Sequence, residues 1–240
     1  MTVIGIDDTD SRTEGMCTTY VGHLIAERLS DWHDATVDKV MLVRLNPAAK
    51  HKTRGNASVA IHTDAEPELA LDVASSFVSE LSADTDDMTN PGVVVSPTSN
   101  LSDEVVQFTG KTINSLRTID EAEQIIEDND LLSYHQGNGR GRIGCIAAVG
   151  AWEYLDDWTY ECIAYRFDER RGSERDVDID SVFSYADEMY PVAWDTVDRV
   201  QQSAVCIPNT PGPILYGIRG DEVDVVEDMS RGIETYESVE

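Results

Sequence analysis

The stretch Val3-Ile4-Gly5-Ile6-Asp7-Asp8-Thr9-Asp10-Ser11 passes from an apolar run to three carboxylates within four positions. The run has the length and character of a buried strand. A polar loop follows. Gly15-Met16-Cys17-Thr18-Thr19-Tyr20 then leads into a helix starting near Thr18, whose apolar positions Val21, Leu24, Ile25 and Leu29 share one face. Carboxylates crowded at a strand end repel one another and need compensation. Mg²⁺ carrying phosphate oxygens supplies it in nucleotide-handling proteins. A solvated acidic loop, or Asp and Ser capping the next helix, is the plainer reading, and spacing leaves both open. Thr18 and Thr19 have N-capping as their default role. A hydroxyl beside an acidic metal cluster also suits the receipt of a phosphoryl group.

Outward from this stretch, Lys39 to Leu45 reads as a buried strand and Ala57 to His62 as an alternating one. Leu69, Val73, Phe77 and Leu81 mark a helix, and Val93 to Val95 a strand entered through Pro91-Gly92. The order over residues 1–96 is β-α-β-β-α-β, the split pattern of a ferredoxin-like or related α+β sandwich. Thr118-Ile119-Asp120-Glu121 fits a capping box for a helix through Ile125 and Ile126. A linker is expected near residues 128–136, dividing the chain into modules 1–130 and 131–240. In the second module, Trp158 to Ala164 and Ser203 to Ile207 read as strands. Ile179, Val182, Phe183, Ala186 and Met189 recur at helical spacing. Pro208 to Pro213 is turn-rich, and the residues after Gly220 are acidic and featureless.

The net charge is −28 and the pI about 4.2, with only four lysines among 18 basic residues. Acid spread along the chain is the balance of proteins kept soluble in concentrated salt. Disorder, the other reading of such acidity, is excluded by the persistent apolar periodicity. A halophilic cytoplasmic protein is expected, with no signal peptide and no membrane span. Salt weakens binding driven by counterion release, so a nucleic-acid partner would be held by shape, stacking and specific contacts. Cys17, Cys145, Cys162 and Cys206 form no Cys-x-x-Cys pair, which suggests neither a zinc site nor a disulfide scaffold.

Against this acidity two stretches stand out. Lys50-His51-Lys52-Thr53-Arg54-Gly55-Asn56 holds two of the four lysines. Lysine and arginine beside glycine suit phosphate, although an exposed loop balancing neighbouring acids has the same composition. Gly137-Asn138-Gly139-Arg140-Gly141-Arg142-Ile143-Gly144 suits a phosphate wrapped by backbone N–H groups at a helix start, with Arg140 and Arg142 adding charge. It lacks the Gly-Lys-Ser/Thr ending of a Walker A loop, and a plain glycine-rich connection is the alternative.

Ile4 to Ser11 with Gly15 to Tyr20 resembles the N-terminal signature of archaeal tRNA(Ile) 2-agmatinylcytidine synthetases, the agmatidine synthetase family. Lys52 to Asn56, Gly137 to Gly141 with Ile143-Gly144, and Pro208 to Gly220 resemble three further blocks of that family, in order. The resemblance implies a ligase that uses ATP and Mg²⁺ to conjugate agmatine to carbon 2 of the wobble cytidine of an AUA-reading isoleucine tRNA. The base oxygen is first phosphorylated, the guanidinium of agmatine displaces phosphate, and ATP ends as AMP plus phosphates. It also implies an atypical kinase-like domain followed by a ferredoxin-like one. Asp7, Asp8 and Asp10 match the family's acidic catalytic and metal motif, and Thr18 its autophosphorylated threonine. Lys52, Arg54, Asn56, Gly139, Arg140, Gly141 and Arg142 are the expected ATP- and phosphate-binding residues. The family pattern continues into an OB-fold and a zinc ribbon that hold tRNA. No OB-like strands or zinc-spaced cysteines are read here, so the chain is expected to be the catalytic and ferredoxin-like part, as a fragment or a short form. The alternative is a non-catalytic fragment that binds nucleotide, agmatine or tRNA.

Overall fold

The structure, a computed structural model, describes residues 1–11, 16–50, 52, 56–155, 157–161, 197–198, 203–204 and 214–218. Arg54, the helix expected around Ile179 to Met189, and most of the Pro208 to Gly220 block lie outside them. Alternating burial organises what is described. In β1 (Thr2–Asp7), Ile4 and Ile6 face one side of the sheet while Val3 and Gly5 face the other. Both sides are covered, which is why the strand is apolar throughout.

The elements that follow are α1 (Thr18–His33), β2 (Val37–Arg44), β3 (Ala57–Thr63), α2 (Pro67–Leu81) and β4 (Gly92–Ser96). This is the element order expected over the first 96 residues. Strands β4, β1, β3 and β2 lie side by side, each antiparallel to its neighbour. Val21, Ile25 and Leu29 of α1 and Ala70, Val73, Ala74 and Val78 of α2 close one face over Ile4, Ile6, Leu42, Val59, Ile61, Val93 and Val95. Fully burying each such aliphatic side chain contributes about 1.5–3 kcal/mol.

The other face carries α3 (Asp103–Asn114), α4 (Ile119–Asp128), α5 (Gly141–Val149) and the short α6 (Ala151–Tyr154). Val105, Phe108, Ala122, Ile126 and the run Cys145 to Val149 pack there on Val3, Met41, Val43, Ala60 and Val94. The capping box expected at Thr118 is present, with Thr118 and Glu121 each bonding the other's backbone N–H. Helix α3 is an element that the periodicity does not mark. Its start is set by Ser102, whose Oγ accepts from the N–H of Val105 at 3.3 Å.

Residues 132–135, expected within a linker, instead form the edge strand β5 (Leu132–His135), antiparallel to β4. On the far side, β9 (Ile214–Ile218) runs parallel to β2 and pairs with β6 (Asp157–Glu161), giving a seven-stranded sheet. Strand β6 overlaps the strand expected from Trp158 to Ala164, and β9 lies within the Pro208 to Gly220 block. A separate ribbon joins β7 (Val197–Asp198) to β8 (Ser203–Ala204). No helix among the described residues is long and apolar enough to cross a membrane.

His23 and His62 are buried, 5% and 2% exposed, and burial lowers each imidazole to a pKa of about 4. The unfolded chain binds their protons near pH 6.5, so their contribution is fully present above that pH. It is lost as pH falls toward 4. Each removes about 2 kcal/mol between pH 8 and pH 5. Urea unfolding at constant salt is therefore expected to show His62→Phe losing about 2 kcal/mol less than the unmodified chain over that interval. An identical loss would contradict a neutral, buried His62.

Candidate functional site

Strand direction gathers the singled-out loops at one edge of the sheet. Asp7 ends β1 opposite Gly92, the first residue of β4, and Gly92 lies opposite His135, the last of β5. Arg44 ends β2 opposite Ala57, the first residue of β3. The acidic loop after Asp7, the Asn46 to Asn56 loop, the turn at residues 82–91 and the glycine loop after His135 thus share that edge. Strand β9, parallel to β2, runs toward it too.

The acidic loop is bent sharply. Asp8 has φ 60°, a left-handed conformation that costs a non-glycine residue of order 1 kcal/mol and that Asp tolerates better than most. Its Oδ2 accepts from Arg140 Nη2 at 2.6 Å, Arg140 Nε at 3.1 Å and the Asn90 N–H at 3.1 Å. Burial raises the Asp8 carboxyl above its usual range, and Arg140 opposes that shift. Asp7 is held well above the usual range, first by burial and then by the charge of Asp8. Thr89 Oγ1 donates to the carbonyl of Asp10 at 3.0 Å, and the Ala83 N–H to that of Thr9 at 3.0 Å. Ser11 Oγ donates to Asp86 at 2.5 Å. The turn at 82–91 is therefore a cradle for the acidic loop.

Asp8 is committed to Arg140, and no group of three or more His, Cys, Asp or Glu side chains among the described residues is arranged to hold a metal. The expected three-carboxylate set of Asp7, Asp8 and Asp10 is thus not assembled. The reason is that the left-handed Asp8 turns toward the glycine loop. What remains still fits a hard cation. Mg²⁺ commonly takes one or two carboxylates and completes its shell with water and phosphate, and Asp7 is an oxygen donor crowded by the negative charge of Asp8 and Asp10. Ser58 adds to this. Its Oγ is buried without a hydrogen-bond partner among the described residues. The Ile6–Val59 pairing sets Ser58 opposite Asp7 one step on. An alternating strand with no Gly or Pro offers no sign of this residue.

Thr18 is buried and accepts from Thr9 Oγ1 at 3.0 Å. Helix α1 begins at Thr18 itself, with Cys17 at the N-cap and no side-chain cap bond, so the expected threonine capping is corrected. Thr19 Oγ1 lies 2.9 Å from Cys17 Sγ. Lys52 Nζ donates to the Pro47 carbonyl and Asn56 Nδ2 to that of Asn46 at 2.9 Å, so both brace their own loop.

The glycine loop differs from a backbone cradle. Six of its N–H groups are already used: Asn138 on Asn90 Oδ1, Gly139 on Gln136, Arg140 on Asn138 Oδ1, Gly141 on Asn90, Arg142 on Gly139 and Ile143 on Arg140. Arg142 is buried and paired with Glu123 at 2.7 Å. The expectation of a phosphate wrapped by these amides, with Arg142 adding charge, therefore gives way to a folded loop presenting one guanidinium, Arg140. Gly137 (φ 60°) and Gly139 (φ 78°) permit the fold of that loop. Gly144 serves another purpose. A Cβ there would lie 1.9 Å from Asp7 Oδ2, so only glycine lets α5 sit against the carboxylate.

The structure is thus an α+β sheet with an acidic loop and an arginine-bearing glycine loop on one edge. The comparisons with known proteins place it in a family. The family model for the TiaS TCKD domain matches residues 3–66, and that for the TiaS FLD domain residues 139–240. The tRNA(Ile) 2-agmatinylcytidine synthetase TiaS of Haloquadratum walsbyi is 49% identical over 240 residues, covering 98% of this chain and 51% of the relative. That of Archaeoglobus fulgidus is 41% identical, covering 97% and 54%. The crystal structure of TiaS in complex with its isoleucine tRNA and ATP superposes with a TM-score of 0.68 at 40% identity, over 96% of this chain and 55% of that one. A complex of TiaS with the tRNA, AMPCPP and agmatine gives 0.64 at 39% identity, over 96% and 56%. The chain belongs to the TiaS family. It spans about half the length of the curated relatives it matches.

Gly144→Ala is expected to cost about 1–3 kcal/mol by overpacking against Asp7. Adding Asp7→Gly should recover most of that loss, giving a coupling of at least about 1 kcal/mol in a double-mutant cycle of urea unfolding. Additive losses would contradict the contact.

Proposed function

We propose that this chain is the catalytic part of an ATP-dependent ligase that conjugates agmatine to carbon 2 of the wobble cytidine in an AUA-reading isoleucine tRNA. The single observation that carries the reading is the Asp7–Asp8–Arg140 arrangement, which brings the acidic block and the glycine block together at one sheet edge. Relatives with the matching sequence are named as tRNA(Ile) 2-agmatinylcytidine synthetases, and similar structures are complexes with isoleucine tRNA, ATP, AMPCPP and agmatine. The working division is a kinase-like unit over 1–130 and a ferredoxin-like unit over 131–240, with α5 as the element that docks the second onto the first. The setting is the cytoplasm of an archaeon living in concentrated salt.

In this reading ATP phosphates lie over the acidic loop. Asp7 and Asp10 would hold Mg²⁺, which when bound neutralises phosphate charge and fixes the phosphates in line for transfer. Arg140 moves its guanidinium from Asp8 to a phosphate oxygen, which it matches as a planar fork. Lys52 and Arg54 add charge from the neighbouring loop, where Asn56 braces the turn, while Gly139, Gly141 and Arg142 shape the glycine loop. The oxygen at carbon 2 of cytidine attacks the γ-phosphorus of ATP, the bond from that phosphorus to the β-phosphate oxygen breaks, and the base oxygen becomes a phosphate ester as ADP leaves. A guanidinium nitrogen of agmatine then attacks carbon 2 and gives up a proton, and phosphate leaves with the original oxygen. Water then cleaves the remaining phosphoanhydride of ADP, so ATP ends as AMP and phosphates. Thr18, at the start of α1, is the residue that accepts a phosphoryl group from ATP on the enzyme itself.

The alternative is a binding reading, in which the same edge holds nucleotide, agmatine or tRNA without turnover.

Incubation with γ-labelled ATP and Mg²⁺ in high salt is expected to label the protein on Thr18, and Thr18→Ala is expected to abolish the label. Equal labelling of Thr18→Ala would remove that role. ATP binding without label or released phosphate would favour the binding reading.

A further inference from the structure

Two of the loops at the sheet edge are far apart in sequence, and one residue outside every sequence block joins them. Asn90 is 6% exposed. Its N–H donates to Asp8 Oδ2 at 3.1 Å, its carbonyl accepts the Gly141 N–H at 3.1 Å, and its Oδ1 accepts the Asn138 N–H at 3.0 Å. Asp8 is 82 positions from Asn90 and Asn138 is 48. On either side of Asn90, the Met88 carbonyl accepts from Arg140 Nη2 at 2.6 Å and the Pro91 carbonyl from the Gln136 N–H at 3.0 Å.

We propose that Asn90 is the positioning residue that registers the glycine loop against the acidic loop, and so sets where Arg140 presents its guanidinium. The inference deepens the phosphate-site reading above and rests on it. Two physical constraints make Asn90 suited to this. A residue before proline is confined to extended backbone, which fixes the directions of its N–H and C=O. Here one goes to the acidic loop and the other to the start of α5. The side chain then fills the space that Gly137 leaves open, since a Cβ on Gly137 would lie 2.3 Å from Asn90 Oδ1. Arg140 follows Asn138 by two residues, and its own N–H is held by Asn138 Oδ1 at 2.9 Å. A displaced Asn138 therefore displaces Arg140. Asp8 would keep its backbone bond from residue 90, but the arginine would lose its register.

Substitution separates these roles, because the backbone bonds survive it and only the Oδ1 bond is lost. In the full chain at high salt, Asn90→Ala is expected to raise amide exchange at Asn138 and Arg140 about tenfold while β1 and β3 keep their protection. Asn90→Asp retains an acceptor for the Asn138 N–H and is expected to keep that amide protected. Titration with Mg·ATP should give Asn90→Ala about tenfold weaker binding at an unchanged melting temperature. Unchanged exchange at Asn138 in Asn90→Ala would overturn the proposal, as would a loosened loop that binds Mg·ATP with wild-type affinity. Exchange rising equally through β1 and β3 would reduce Asn90 to a general structural role and overturn it as well. An unmodified chain that binds no Mg·ATP would remove the phosphate-site reading instead, and the exchange comparison would still decide whether Asn90 holds the loop.

Discussion

Everything at the candidate site depends on how closely helix α5 lies on strand β1. A Cβ on Gly5 would sit 2.1 Å from the carbonyl oxygen of Cys145, and one on Gly144 would sit 1.9 Å from Asp7. Gly92 and Gly141 repeat the pattern at the next strand, where a Cβ on Gly92 would meet the Arg142 nitrogen at 2.8 Å and one on Gly141 the Asn90 carbonyl at 2.6 Å. At Gly5, Gly92 and Gly141 backbone therefore meets backbone across the interface, and at Gly144 backbone meets the Asp7 carboxylate. Each of these glycines gives up side-chain packing, and what is gained is placement. The loop before α5 is delivered onto the carboxylates with Arg140 at its tip. Moving α5 outward by the radius of a methyl group would separate that arginine from Asp8.

The second constraint is charge. With a net charge of −28 the chain has little capacity to attract phosphate from a distance. At molar salt the Debye length is about 3 Å, so long-range steering is lost in any case. Contacts shorter than that and shielded from solvent survive. The Arg140–Asp8 bond at 2.6 Å is such a contact, with side chains 21% and 11% exposed. The proposed chemistry follows the same logic. A single oriented guanidinium and a crowded carboxylate loop act at contact distance, and the rest of the surface is left to solubility.

Periodicity makes the core legible. Val3 to Ile6, Lys39 to Leu45, Ala57 to His62 and Val93 to Val95, with the Val21–Leu29 and Leu69–Leu81 spacings, suffice to read the first six elements, because each buries one stripe or one run against a neighbour. Helix α3 is harder to see because it follows a polar turn and its stripe of Val105, Phe108 and Ile113 is short. Strand β5 has the look of a linker because its burial is only partial at a sheet edge. At the site, composition locates the acidic loop and the glycine loop but not what they do to each other. That Asp8 turns to Arg140 and that the glycine-loop amides are taken up by Asn90 and by the loop itself are consequences of packing between distant segments. Asn90 and Ser58 are invisible in the sequence for the same reason. Asparagine before Pro-Gly is ordinary turn chemistry, and a serine in a strand is ordinary alternation. Only the neighbours across the sheet give either residue its meaning.

The most direct measurement of the central claim is a crystal structure of this chain grown with Mg²⁺ and a non-hydrolysable ATP analogue in high salt. The account predicts phosphate density between the Asp7–Asp10 loop and the Gly137–Arg140 loop, with Arg140 turned from Asp8 to a phosphate oxygen. Nucleotide bound elsewhere, with the Arg140–Asp8 pair intact, would contradict it.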